Sequence, residues 1–174
     1  EVKYEVECVA FYNLENLFDT IVDPDTNKIL QEDFTPEGNH HWNSKKYYQK
    51  IGNMAEVISK IGKEVTPLGP SILGVCEIEN RLVLEDLVAH ELIASKHYKI
   101  IHQDGHDKRG IDCALIYDPL HFKVLAYKSI KLTMPDNPDF ASRDQLLVSG
   151  ELMGELIHFI VVHWPSRRGG ESKS

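Results

Sequence analysis

Three polar residues stand at the ends of apolar segments, where their side chains could meet and do chemistry. Asn13 follows an apolar stretch near the start, Glu77 ends the run SILGVCE, and His163 ends the run IHFIVVH. Side chains at strand ends sit on a rigid frame beside loops, where sites are usually built. If the three strands are neighbours, a carboxylate and an amide suited to a hard cation converge with an imidazole.

Each of these residues also has a structural interpretation. Asn13 is of a type that closes turns, Glu77 is equally typical of a solvated strand terminus, and His163 of a core histidine with satisfied ring nitrogens. Glu79 follows Glu77 by two positions. It is a second metal ligand if the strand continues, and it turns toward solvent or the next helix if the strand ends at Glu77.

A glycine-containing loop, QDGHDKRG, carries two further cations. Lys108 and Arg109 either contact a substrate or belong to a solvated turn. Asp112, which follows the loop, is predicted to hold it by hydrogen bonds.

The elements that must position these residues follow from apolar periodicity. Residues 3–13 alternate as a strand, and the polar, turn-rich stretch 14–42 is interpreted as a long loop. One apolar stripe predicts a helix from about Tyr47 to Ile61, with Asn43 or Ser44 as its cap and Gly62 at its end. A buried strand, SILGVCE, and a second helix over 82–95 follow. Five more strands are predicted, over 98–103, 112–118, 122–132, 145–152 and 155–163. Strand, helix, strand, helix and then a run of antiparallel strands indicate an α+β arrangement.

Composition narrows the class of protein. A length of 174 residues fits one domain, and 42% hydrophobic with 26% charged residues is ordinary for a globular protein. The net charge of −8 argues against coating nucleic acid by bulk electrostatics. No apolar run is long enough for an integral membrane segment. The chain starts at Glu1 without methionine, which favours export (periplasmic or secreted) over the cytoplasm, whereas three predicted free, buried thiols (Cys8, Cys76 and Cys113) fit the cytoplasm.

Five ordered segments resemble the endonuclease/exonuclease/phosphatase superfamily, in its deoxyribonuclease-like form and in a bacterial branch with NLENLFD and HWPSRRGG blocks. The segments are FYNLENLFDT, SILGVCEIEN, KRGIDCALIYDP, ASRDQLLVSGEL and IVVHWPSRRGG. The resemblance implies a four-layer α/β/β/α sandwich, of which this chain supplies about the first half. Because the family's later Asp-x-Asn and Asp-His blocks have no counterpart here, the domain over residues 1–174 is expected to be incomplete at its C-terminus.

The resemblance also implies roles for single residues. Glu77 matches the family's metal-binding glutamate, and Asn13 matches the asparagine near the metal and the scissile phosphate. Arg143 looks like the arginine that contacts substrate phosphate, and His163 like the histidine that hydrogen-bonds a phosphate oxygen. Two further arginines just beyond it are expected to add contacts to phosphate. They are Arg167 and Arg168.

The implied activity is Mg²⁺-dependent hydrolysis of phosphoester bonds, foremost phosphodiesters as in a nuclease, with Mn²⁺ or Ca²⁺ as other possible cations. A hard cation neutralises the charge that builds up on phosphoryl oxygens. The expected partner is a phosphorylated substrate: nucleic acid, nucleotide, lipid headgroup or sugar phosphate. Two alternatives stay open, a phosphomonoesterase acting on inositol or sugar phosphates, and a non-catalytic relative that binds phosphorylated ligands.

Overall fold

The computed structural model of the protein describes residues 4–25, 28, 30–136 and 142–164. Within them, no helix is long and apolar enough to cross a membrane. The helices are α1 (Ser44–Lys60) and α2 (Arg81–Ala89), with short 3₁₀ helices at Gln31–Phe34 and Ala94–Lys96. The strands are β1 (Val9–Leu17), β2 (Ile72–Ile78), β3 (Lys99–His102), β4 (Asp112–Tyr117), β5 (Phe122–Ile130), β6 (Gln145–Leu152) and β7 (Glu155–Val161).

Helix α1 forms where the apolar stripe predicts it. The side chain of Asn43 accepts a hydrogen bond from the backbone N–H of Lys46, which satisfies one of the free donors at the helix start. The stripe residues Tyr47, Ile51 and Ile58 are buried on one face of the helix. The predicted helix and its cap are therefore confirmed.

The strands form two sheets. In the first sheet the order is β1-β2-β4-β3, with β1 and β2 parallel and the other pairs antiparallel. The second sheet is an antiparallel meander in the order β5-β6-β7. Helix α1, between β1 and β2, is the crossover that a parallel pair requires.

The structure has three layers, the helices, the first sheet and the second sheet, and a hydrophobic cluster fills each of the two spaces between them. Strand β2 shows why: Leu73 and Val75 pack with the helices, whereas Ile72 and Cys76 pack with residues of the second sheet such as Val148. The alternation places the helices on one face of the first sheet and the second sheet on its other face. The predicted α+β class is confirmed, and the described residues form the α/β/β part of the expected sandwich.

The predicted bounds of the first strand and of the second helix were wrong. Strand β1 begins at Val9 and not at residue 3. It continues to Leu17 and does not end at Asn13, because Leu14 and Leu17 are fully buried against the helices. Helix α2 ends at Ala89 and does not reach Ser95. The buried side chain of Ile93 packs into the core from the turn that follows, so tertiary burial overrides helix propensity there.

Candidate active site

Glu77 lies at an irregularity in two pairs of strands. Between β2 and β4, Cys76 pairs with Cys113 and Ile78 with Asp112, so Glu77 is an extra residue in a β-bulge. Between β1 and β2, residues 14–16 stand opposite Glu77 alone. A bulge changes the direction of the side chain of its extra residue. The irregularities in β1 and β2 both lie at the Glu77 carboxylate.

The backbone at this bulge is left-handed at three residues that are not glycine. Their φ angles are +51° for Glu15, +57° for Asn16 and +60° for Glu77. Each such residue costs free energy, on the order of 1–3 kcal/mol, and persists only where the surroundings enforce it. Conformations of this kind cluster at functional sites, which favours Glu77 as a functional carboxylate.

Two groups from other elements contact the Glu77 carboxylate. The backbone N–H of Asn16 donates to Oε2 at 3.1 Å. Nε2 of His163, two residues beyond β7, lies 3.3 Å from Oε1. The structure thus brings Glu77 and His163 together, as the strand-end argument predicted.

His163 is held toward its neutral form. Burial and the nearby cation of Arg143 lower the pKa of His163 below its usual value, against the opposing effect of Glu77. A neutral ring carries a proton on one nitrogen, and Nε2, which faces a carboxylate, is the favoured position. Nδ1 is buried without a hydrogen-bond partner among the described residues.

Asn13 lies on the strand beside Glu77, paired with Cys76. Its Oδ1 accepts a hydrogen bond from the backbone N–H of Glu15 at 2.8 Å. This contact closes a local turn, which is the structural interpretation of Asn13. A role in metal binding remains a prediction.

Arg143 is buried among protein acceptors. Only 8% of the residue is exposed. Its Nε donates to the backbone carbonyl of His163 at 3.0 Å, and its Nη1 donates to Oδ2 of Asp107 at 3.1 Å. Arg143 therefore supports the His163 segment directly. The other two predicted phosphate ligands, Arg167 and Arg168, lie outside the described residues.

Glu79 is neither a solvated residue nor a partner of Glu77 in any described contact, so the predicted turn toward solvent was wrong. It is 3% exposed, and its Oε2 accepts from the backbone N–H of Asp19 at 2.8 Å. Burial raises the pKa of Glu79 to about 7. This carboxyl anchors the segment after β1 to the end of β2.

Sequence reasoning missed Lys50, on helix α1. Its Nζ donates to the backbone carbonyls of Glu15 and Asn16, at 2.5 and 3.1 Å. It also lies 5.7 Å from the centre of the Trp42 ring. Burial lowers the pKa of Lys50. In the sequence Lys50 looks like any cation on the polar face of an amphipathic helix, and only its contacts distinguish it.

The oxygens at this site suit a hard divalent cation. The Glu77 carboxylate can accept about four hydrogen bonds or metal contacts, and among the described residues only the Asn16 N–H and the His163 ring occupy it. Asn16 also carries a buried Oδ1 without a hydrogen-bond partner among those residues. Mg²⁺ is often held by one or two carboxylates with several waters, so the residues fit it.

A second group of possible ligands, His102, Asp104 and Asp112, has its ligand atoms within 4.8 Å of one another. Two of its members, His102 and Asp112, already make hydrogen bonds within the protein. Asp112 binds His102 at 3.0 Å and the backbone N–H of Gly105 at 3.0 Å. The prediction that Asp112 holds the preceding loop by hydrogen bonds is confirmed.

Comparisons with known proteins identify the family of the chain. The model of the Endonuclease/Exonuclease/phosphatase family matches residues 8–174. A search of curated proteins found no match.

Several solved structures are similar at low identity. ANGEL2, a 2',3'-cyclic phosphatase, is 15% identical with a TM-score of 0.47 over 66% of this chain and 31% of its own. A family protein from Leptotrichia buccalis C-1013-b is 16% identical with a TM-score of 0.49, over 75% and 54%. The mannosyl-6-phosphatase Bt3783 of Bacteroides thetaiotaomicron is 18% identical with a TM-score of 0.43, over 68% and 46%. The chain spans between about a third and a half of these proteins.

Proposed function

Because the chain belongs to the endonuclease/exonuclease/phosphatase family, we propose that it hydrolyses phosphodiester bonds with Mg²⁺ held at Glu77. The observation that carries the proposal is the placement of the Glu77 carboxylate. Glu77 lies where the pairing of β2 with β1 and the pairing of β2 with β4 are both irregular. Its side chain is 15% exposed, and its carboxylate lies between the neutral imidazole of His163 and the backbone N–H of Asn16. Such a carboxylate is oriented by its surroundings and still open to a ligand.

Each described residue has a distinct task in the proposed reaction. Glu77 binds the cation, which supplies charge neutralisation at the phosphoryl oxygens when bound. His163 donates its Nε2 proton in a hydrogen bond to a non-bridging phosphate oxygen. Asn13 supplies a nearby amide, and Arg143 fixes the backbone of His163. Among the described residues we assign no general base.

The substrate class that we propose is a phosphodiester, in nucleic acid, a nucleotide or a lipid headgroup. Two arginines near His163, Arg109 and Arg143, share the carboxylate of Asp107, and this trio retains one net positive charge. A diester carries one negative charge, whereas a monoester carries close to two near pH 7. Direct comparison of the two ester classes as substrates decides between them.

The test compares hydrolysis of bis(p-nitrophenyl) phosphate and p-nitrophenyl phosphate by the full chain, with and without Mg²⁺. We expect Mg²⁺-dependent cleavage of the diester, lost in Glu77→Gln. Glu85→Gln is the matched control, because Glu85 pairs with Arg81 on the exposed face of α2. Circular dichroism should show that both variants keep the fold.

Three results would overturn the proposal. Cleavage of the monoester alone would indicate a phosphomonoesterase. Absence of turnover together with retained binding of inorganic phosphate would indicate a binding protein. Equal rates for wild type and Glu77→Gln would remove Glu77 from the reaction.

A further inference from the structure

The loop between β3 and β4 carries a second arginine beside the site. Arg109 donates to the carboxylate of Asp107 three times, from its backbone N–H at 2.7 Å, from Nε at 3.4 Å and from Nη2 at 3.3 Å. The two side-chain contacts are long for charge-assisted hydrogen bonds, which are typically about 2.7–2.9 Å. The guanidinium is thus oriented by Asp107 without being tightly bound.

Arg109 and Arg143 differ in access. The side chain of Arg143 is 7% exposed and that of Arg109 is 33% exposed, although both contact Asp107. Arg143 is committed to Asp107 and to the carbonyl of His163. Among the described residues, no acceptor binds Nη1 of Arg109. The guanidinium that a ligand can reach is therefore Arg109.

We propose that Arg109 binds the phosphate of the substrate directly, and that Arg143 is a positioning residue which holds Asp107 and His163. This inference rests on the proposed function. A guanidinium suits the task, because its planar fork of donors matches two phosphate oxygens. The net positive charge of the Arg109–Asp107–Arg143 trio remains available to an anion at the exposed end of that trio.

The loop that carries Arg109 is held before any ligand arrives. Its Gly105 N–H donates to Oδ1 of Asp112 at 3.0 Å, and Nδ1 of His106 lies 3.0 Å from Oδ2 of Asp144. The backbone N–H of Gly110 donates to the carbonyl of Asp107 at 2.9 Å. Binding by a preorganised group loses less entropy than binding by a free side chain.

A short series of contacts connects Arg109 to His163. Arg109 and Arg143 both donate to the carboxylate of Asp107, and Nε of Arg143 donates to the backbone carbonyl of His163 at 3.0 Å. A phosphate bound by Arg109 would therefore lie beside the segment that carries His163.

The test is a comparison of Arg109→Gln with Lys108→Gln. Lys108 is the adjacent exposed cation, so its replacement removes the same charge from the same loop. For Arg109→Gln we expect the KM for bis(p-nitrophenyl) phosphate to rise about tenfold or more, as for loss of a hydrogen bond to a charged group, with a small change in kcat. Arg109→Lys should recover part of the loss. A KM for Arg109→Gln within about twofold of that for Lys108→Gln would overturn the assignment.

Failure of this inference is distinguishable from failure of the proposed function. If the wild type cleaves the diester and Glu77→Gln does not, the proposed function stands and the KM of Arg109→Gln decides the inference alone. If the wild type does not turn over, binding of inorganic phosphate is followed by ³¹P NMR. Line broadening that disappears in Arg109→Gln and persists in Lys108→Gln would support Arg109, and equal broadening in both variants would overturn it.

Discussion

The ammonium of Lys50 lies 3.1 Å from the backbone carbonyl oxygen of Asn16. The backbone N–H of Asn16 donates a hydrogen bond to the Glu77 carboxylate. A side chain on helix α1 is thereby connected, through one left-handed residue, to the carboxylate proposed to bind the cation. Loss of a group that orients a metal ligand typically weakens metal affinity by about 10–100-fold.

Replacing Lys50 by methionine should weaken divalent-cation binding while the protein stays folded. The variant removes two hydrogen bonds to the bulge, so Asn16 no longer holds Glu77 in one orientation. We expect the Kd for Mn²⁺, measured by electron paramagnetic resonance, to rise by about 10–100-fold.

Lys46→Met is the matched control for this change. Lys46 lies one turn earlier on α1, and its Nζ donates to the carbonyl of His40 in an exposed position. An equal loss of Mn²⁺ affinity in the two variants would show that charge alone, and not the contact with the bulge, accounts for the effect.

Asp107→Ala should destabilise the protein strongly. Asp107 is buried, and its removal leaves the buried guanidinium of Arg143 without its carboxylate. Loss of one partner from a buried ion pair typically costs about 3–5 kcal/mol. Urea unfolding measures this free energy, and Glu56→Ala serves as the control because the Glu56–Lys60 pair is exposed. A free energy of unfolding equal to that of the control would contradict the structural role given to Asp107.

Two glycines should respond in opposite directions to alanine. At Gly105 a Cβ would lie 2.6 Å from Oδ1 of Asp112, so Gly105→Ala should cost about 1–3 kcal/mol of stability through overpacking. At Gly52, inside α1, the nearest atom is 3.5 Å away, so Gly52→Ala should stabilise by about 0.5–1 kcal/mol. Thermal unfolding followed by circular dichroism checks both values. A stabilising Gly105→Ala would exclude the close approach of the loop to Asp112.

The buried thiols should resist labelling. Burial raises the pKa of Cys76 to about 12 and that of Cys113 to about 12, so neither forms appreciable thiolate at pH 8. Cys8 is partly exposed. Ellman's reagent at pH 8 should therefore react quickly with one thiol in the native protein and with three in urea. Rapid reaction of three thiols without urea would show that the space between the sheets is open.

Much of the fold could be predicted because local patterns coincide with tertiary burial. Helix α1 and strand β6 follow from the spacing of apolar residues, and their bounds agree closely with the sequence pattern. Agreement was poorer after Asn13, where the motif NLENLF is polar in part and was interpreted as a loop. Leu14 and Leu17 are buried there through a bulge, and a bulge breaks the two-residue alternation by which strands are recognised.

Some residues of the candidate site could be predicted from the sequence and others could not. Glu77 and His163 could be identified from their types and positions at strand ends, although 86 positions separate them in the chain. The burial of Arg143, the exposure of Arg109 and the inward contact of Lys50 could not be. Each depends on the acceptors that the fold places beside the side chain, which are Asp107 for the two arginines and two backbone carbonyls for the lysine.

The sequence by itself determined the α+β class, the family resemblance and the carboxylate at the end of β2, because residue types and short-range periodicity carry that information. Tertiary structure decided the orientation of the Glu77 carboxylate, the neutral state favoured for His163 and the different access of the two arginines. These properties arise from desolvation and from contacts between residues distant in sequence, and no local pattern encodes them.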